Sequence, residues 1–375
     1  MTYGSDDRGV NPVLIRFPKG IHFMLATIPV TKTTSSRLTP ELRDKAAFGA
    51  VFSDHMLVAD FANGKWGEPR IIPYGQQMLN AAPAVAHYGQ GIFEGFKVFA
   101  RPNGGAVAFR PDANHARMNR TCQRMAMPEI PASTFIEGTM ALVAVDRDWI
   151  PESDGCSLYV RPVMFATGET LGVKPSETFR FIIETCPSAP YFSGSVDLIA
   201  EDTYVRAFPG GTGAAKCGGN YAGSMLAAIE AQKKGFHNVL WLDGIERKYV
   251  EEAGLMNVAF VIGGTVVTPP LSGTILPGIT RDSVLTLLHD MKIPVEERRI
   301  SIDEVFDAHA KGTLQGAAGI GTAAVIAPLG RLRHKDREIT VPKMGPENPL
   351  SKAGAELEAI RLGKIADRHN WLKAL

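Results

Sequence analysis

Short apolar runs, broken at close intervals by turn residues, constrain this chain more than any other feature. GGAVAFR, SLYVRPVMF and TFRFIIETC in the first half, then HNVLWLD, MNVAFVIGG and TVVTPP in the second, each read as a strand. AVFSDHMLVADFANGKWGEPRIIPY divides into strands at Asn63-Gly64, a pair suited to a tight hairpin. Residues 112–126 and 134–149 read as helices. In YAGSMLAAIEAQKKG, Ala222, Met225, Leu226 and Ile229 recur at helical spacing and Gly235 supplies a stop. LPGITRDSVLTLLHDM reads as a further helix with Thr280 as N-cap and Asp282 in its first turn. The pattern predicts an α/β (α+β) protein with two strand-rich domains, which 375 residues can accommodate.

Pro, Gly and Ser cluster at CPSAPYFSGSVD, residues 186–197, just after an apolar strand. The expected division is an arm over 1–47, a smaller α/β domain over 48–186, a linker over 187–198 and a larger domain over 199–375. A net charge of +1 gives no reason to expect nucleic acid or an anionic membrane as partner. Cys122, Cys156, Cys186 and Cys217 are far apart and form no C-x-x-C pair. Disulfide scaffolding and a cysteine zinc site are not expected, and free thiols suit a reducing cytosol. The polar first residues lack the apolar core of a signal peptide, and no run of 18 apolar residues occurs, so a cytoplasmic location is expected.

Residues 208–221, FPGGTGAAKCGGNY, strip side chains away on both sides of one lysine, Lys216. A phosphate-binding G-x-x-x-x-G-K-[ST] loop needs Gly before the lysine and Ser or Thr after it, but Ala215 and Cys217 stand there. A G-x-G-x-x-G fingerprint fails because the lysine occupies the last glycine position. Two readings stay open, a solvated loop lysine and a lysine for covalent chemistry. The second needs a partly desolvated amine, few nearby carboxylates and clearance to swing between two carbons. Small neighbours give that clearance, and Tyr221 could hydrogen-bond an oxygen on the same ligand.

Three other features fit a site of that kind. One of Glu251 and Glu252, set between apolar runs, could pair with a pyridine nitrogen, although adjacent glutamates are commonly a solvated edge pair. LPGIT at a helix start offers backbone N–H groups to a phosphate, or is an ordinary helix end. AGIGTAAVIAP places a Gly-x-Gly-Thr turn before an apolar strand, either another anion seat or a plain turn.

These segments together resemble the branched-chain amino-acid aminotransferases, fold type IV of the pyridoxal phosphate enzymes. The resemblance runs from Phe48 to about Trp371 and is carried by FSDHML, HYGQGIFEGFKVF, FRPDANHARMNR, LYVRPV, GGTGAAKCGGNYAGS, ERKYVEEAGLMN, LSGTILPGITRDS and GIGTAAVIAP. It implies a two-domain fold with pyridoxal 5'-phosphate between the domains. Lys216 then resembles the lysine that binds the cofactor as a Schiff base and moves the substrate proton. Tyr221 would bond the phenolic oxygen, and Glu252, two residues before Gly-x-Met-Asn, would pair with the ring nitrogen. Arg117, the Ile279 and Thr280 amides and Thr322 would hold the phosphate. Phe48, Tyr88, Phe93, Tyr159 and Tyr191 match aromatics of the side-chain pocket, and Arg161 resembles the residue that takes the distal carboxylate of glutamate. Leu171, Val173 and Tyr88 match positions supplied by a neighbouring subunit, implying a homodimer.

The implied activity is ping-pong transfer of the amino group of L-leucine, L-isoleucine or L-valine to 2-oxoglutarate. D-amino-acid aminotransferase, aminodeoxychorismate lyase and a non-catalytic anion-binding relative are the alternatives. Two departures stand out. Ala324 and Ala327 replace the C-x-x-C pair of some animal members. Leu255 replaces a threonine that in some relatives donates to the substrate α-carboxylate, which shifts that task to backbone around Ala323.

Overall fold

The computed structural model describes residues 28–101, 105–189, 194–323 and 325–375. Tyr191 and Ala324 therefore lie outside the described residues, as does the arm before residue 28. The strand-like runs form two nine-stranded sheets. In the first, every pairing between named strands is antiparallel, in the order Leu372–Ala374, Ala106–Phe109, Phe96–Ala100, Ser157–Ala166, Phe179–Ser188, His55–Ala62, Lys65–Trp66. Arg70–Pro73 joins it beside His55–Ala62, and Gly91–Phe93 beside Ser157–Ala166. Asn63 and Gly64 both take positive φ, 52° and 74°, the backbone a two-residue hairpin requires. Strands Ser157–Ala166 and Phe179–Ser188 pair along their full length, setting Tyr159 opposite Cys186 and Arg161 opposite Glu184.

The second sheet is mixed. Val196–Glu201 lies parallel between Asn238–Leu242 and Val325–His334, and the latter turns back antiparallel on Leu314–Gly321. The turn between those last two strands carries Thr322 and Ala323. The final strand, Leu372–Ala374, crosses back to pair with Ala106–Phe109 of the first sheet. Each sheet has its own apolar cluster. A third cluster joins them, packing Phe99, Phe109 and Trp371 against Leu287 and Leu288 of helix Ile279–Asp290 and Leu357 of helix Pro349–Arg361. Large buried apolar area across both halves holds the sheets in one relation, and the site forms where they meet.

Three local expectations are corrected. The helix around Met225 breaks at Gly223–Ser224 into Gly218–Ala222 and Met225–Lys233. The residues that give it its period face outward: Met225, Leu226 and Ile229 are exposed, while Ala227 and Ala231 pack on Trp241 and Phe236. Bulky aromatics beneath leave room there only for alanine. Thr280 is not an N-cap. Gly278 holds that place without a side-chain bond, the helix starts at Ile279, and Thr280 is buried within its first turn. Residues 134–149 are not one helix but a π-turn at Ser133–Glu137, an α-helix at Gly138–Val145 and a 3₁₀ turn at Arg147–Trp149.

Candidate active site

The glycine loop is pinned to its surroundings before it reaches Lys216. Asn220 reaches back from helix Gly218–Ala222 and donates to the carbonyls of Thr212 and Ala215, both at 2.8 Å, and its side-chain oxygen lies 2.7 Å from the Thr212 hydroxyl. A Cβ on Gly213 would sit 2.3 Å from the Thr274 carbonyl oxygen, so only glycine permits this approach. The Lys216 N–H donates to Thr121 Oγ1 at 3.2 Å, and its carbonyl accepts from Phe93 at 3.1 Å. The loop is thus held at the backbone while the lysine side chain lies on the wall of a cavity.

Lys216 Nζ donates to Tyr221 Oη at 2.9 Å and lies 4.9 Å from the Phe93 ring centroid. Burial first, and then the Arg117 charge, pull its pKa from 10.5 to about 8. A neutral amine is therefore within reach near neutral pH. Burial pushes the Tyr221 phenol up to about 12, so it stays a protonated donor.

Opposite poles of charge flank the lysine. Adjacent strand residues face opposite ways, which separates the two glutamates. Glu251 accepts from Thr274 Oγ1 at 2.5 Å and is not on the cavity wall. Glu252 is on that wall, fully enclosed, and receives Arg206 through two bonds of 2.7 and 3.1 Å, the Leu276 N–H at 2.8 Å and Asn257 Nδ2 at 3.4 Å. Burial holds its carboxyl above the ordinary range against the pull of Arg206.

At the other pole, Arg117 projects from helix Pro111–Arg124 and is 4% exposed, unlike the surface arginine its helix alone would suggest. Nε and Nη2 donate to the two oxygens of Glu94 at 2.7 and 2.8 Å, and Nη1 to the Pro277 carbonyl at 3.0 Å. Three of five guanidinium donors are thereby engaged, leaving two for a ligand. Beside it stand Gly278, Ile279, Thr280 and Thr322. The helix end has no side-chain cap, so its N–H groups and positive dipole end stay available to an anion.

Next to the cavity is an aromatic group with one cation. Phe93 packs edge-on against Tyr221 at 4.7 Å, and Phe48 against Tyr159 at 4.8 Å. Arg161 lies over both Phe93 and Tyr159, 4.9 and 5.2 Å from their centroids, and donates to Tyr159 Oη at 3.2 Å. Among the described residues its buried Nε has no hydrogen-bond partner. Tyr88, Leu171 and Val173 do not join this group. All three are exposed, and the Tyr88 hydroxyl donates to the Leu171 carbonyl. Ala323 is also turned away from the cavity, its carbonyl accepting from Lys97 at 2.8 Å.

Residues 91–328, which include both charged poles and Lys216, match the model of the amino-transferase class IV family. The chain is 47% identical over 329 residues, 86% of its own length and 92% of the relative's, to the "probable branched-chain-amino-acid aminotransferase" of Staphylococcus epidermidis. It belongs to the class IV aminotransferases, in the branched-chain group. This aminotransferase is also 44% identical over 349 residues (92% and 96% of the two chains) to branched-chain-amino-acid aminotransferase 2 of Bacillus subtilis. Among solved structures, the branched-chain aminotransferase of Thermoproteus uzoniensis with norvaline shares its fold, with a TM-score of 0.70, 24% identity, and 85% and 99% of the two chains covered. The fold of the Thermobaculum terrenum enzyme in its PLP-form is likewise similar, at a TM-score of 0.69, 22% identity, and 86% and 98% coverage.

Sequence reasoning missed the aminotransferase's supporting shell: Glu94, Arg206, Asn220, Asn257 and Lys97. Glu94 and Arg206 carried a usable signal, since each lies within a few residues of an apolar strand or the glycine loop, where a lone charge needs a partner.

Proposed function

We propose that this chain moves the amino group of a branched-chain L-amino acid to 2-oxoglutarate, using pyridoxal 5'-phosphate. The observation that carries this reading is the order of chemical groups along one cavity: Arg117 and an uncapped helix end, then Lys216 with Tyr221, then Glu252 with Arg206. A phosphate, an aldehyde beside a phenol, and a protonated ring nitrogen need those partners. Arg117, Ile279, Thr280 and Thr322 would hold the phosphate, Lys216 the aldehyde carbon, Tyr221 the phenolic oxygen and Glu252 the nitrogen. Bound there, the cofactor supplies a sink for the electrons left when the substrate α-carbon loses its proton.

The chain's own groups do the rest. Lys216, with its pKa near 8, can accept the substrate α-proton as a neutral amine and would give it up again, as an ammonium, to the carbon that held the aldehyde. Tyr221 steadies that amine through its 2.9 Å bond. Arg206 draws Glu252 toward its charged form against the effect of burial, and Glu94 balances the charge of Arg117 beside the phosphate seat. Phe48, Phe93 and Tyr159 give an apolar side chain a surface to cover. Arg161, with its unpartnered Nε, gives the distal carboxylate of glutamate a donor in the same space. The exposure of Tyr88, Leu171 and Val173 supports a homodimer in which these residues complete the neighbour's pocket.

The test is a visible spectrum of the purified protein with pyridoxal phosphate. A yellow band should bleach on adding L-leucine and return with 2-oxoglutarate. A yellow protein indifferent to L-leucine but bleached by a D-amino acid would overturn the substrate assignment, and a colourless one the cofactor assignment.

A further inference from the structure

Lys97 lies on strand Phe96–Ala100, opposite Tyr159, and its side chain is 9% exposed. It crosses from the first sheet to the second, where Nζ donates to the Ala323 carbonyl at 2.8 Å. Among the described residues it makes no ion pair, so an ammonium is buried for a single carbonyl partner. Burial, reinforced by Arg361 and opposed by Glu358, brings its pKa to about 8. Such an arrangement costs stability rather than adding it, which raises the question of what the bond holds in place.

The same short turn that carries Ala323 sets Gly321 and Thr322 on the wall of the Lys216 cavity. Behind the turn, the described residues leave a space between the two sheets. A second, more open cavity lies there, lined by Lys97, Phe99, Ala323, Val325, Met344 and Glu358 among others. Lys97 is the side chain that reaches across this space to the turn. The direction of its bond matters. A carbonyl drawn toward Lys97 is a carbonyl kept out of the anion seat, where its negative end would repel a carboxylate or phosphate. Leu255 lines the same cavity and offers no hydroxyl, so the turn bears more of the task of holding an anionic group.

We propose that Lys97 is a positioning residue for substrate: it fixes the Gly321–Ala323 turn so that its donors, and not the Ala323 oxygen, meet the substrate α-carboxylate. This rests on the aminotransferase reading above. The experiment compares wild type with Lys97→Met in the holoenzyme, following the amino-acid half-reaction with L-leucine and with 3-methylbutylamine, which is leucine without its carboxylate. Lys97→Met should raise the half-saturating concentration of L-leucine by about tenfold, the worth of one charge-assisted hydrogen bond. With both proteins saturated with pyridoxal phosphate, whose phosphate Thr322 of the same turn also serves, maximal rate should stay within about twofold and 3-methylbutylamine should react equally well with both. Lys97→Gln, which keeps a neutral donor, should lose less. Equal losses on both amines would mean general damage and would overturn the proposal, as would no loss on either. A wild type unreactive toward L-leucine would instead remove the aminotransferase reading beneath it, an outcome separable from these two.

Discussion

Lys216 and Lys97 are both drawn from 10.5 to about 8, and in both the first cause is burial. What lies within reach of each amine differs. Lys216 projects from a glycine-lined loop into a cavity, with Tyr221 at 2.9 Å and charged poles on either side. Lys97 stands on a strand between two sheets, its amine tied to one backbone oxygen. A lowered pKa therefore marks an enclosed amine and does not by itself mark a reactive one. Clearance and partners make the distinction, and they come from the loop's glycines and from Asn220, not from the lysine.

The largest expected effect tests that distinction. Lys216→Ala should lower turnover of L-leucine with 2-oxoglutarate by on the order of a thousandfold or more, since covalent anchoring and proton transfer vanish together. Lys97→Met should keep maximal turnover within a few-fold. Steady-state rates at saturating substrate decide it, and equal collapse of both variants would erase the contrast.

A cation that does have its carboxylate provides the next comparison. Arg206→Met would leave Glu252 enclosed and unpaired, at a cost of about 3–5 kcal/mol. Arg337→Met removes a partner from an exposed pair and should cost no more than about 1 kcal/mol. Urea unfolding of the two variants measures the difference; similar losses would mean the Arg206 pair is effectively solvated.

A smaller effect concerns pH. Because the folded Lys97 pKa lies below the unfolded value, the unfolded chain binds more protons between about pH 8 and 10.5. Stability from this group therefore rises with pH across that window, and its burial penalty is fully present below pH 8. Wild type should gain on Lys97→Met between pH 7.5 and 9.5 in urea midpoints. A constant difference would show that Lys97 stays charged and hydrated.

Much of the fold was legible because its signals are local. The Asn63-Gly64 hairpin needs only two left-handed residues, and the long strands announce themselves as apolar runs bounded by Gly and Pro. The cavity residues were legible through spacing and resemblance: Lys216, Tyr221, Glu252, Arg117, Ile279, Thr280 and Thr322 all line one space. Illegible were the features set by distant packing. Met225, Leu226 and Ile229 have helical period but face outward because Trp241 and Phe236 lie under the opposite side. Leu226→Ser should accordingly change monomer stability by about 0.5 kcal/mol or less, the smallest effect in this series. Arg206, Glu94 and Lys97 find their partners 46, 23 and 226 residues away, separations that no window on the sequence can reveal.

The most direct measurement is to load the protein with pyridoxal phosphate, reduce it with borohydride and map the modified peptide by mass spectrometry. Pyridoxyl mass on Lys216, with Lys97 unmodified, is the expected result. Label on Lys97, or on scattered surface lysines with Lys216 free, would contradict the assignment of the glycine loop as the place where cofactor and substrate meet.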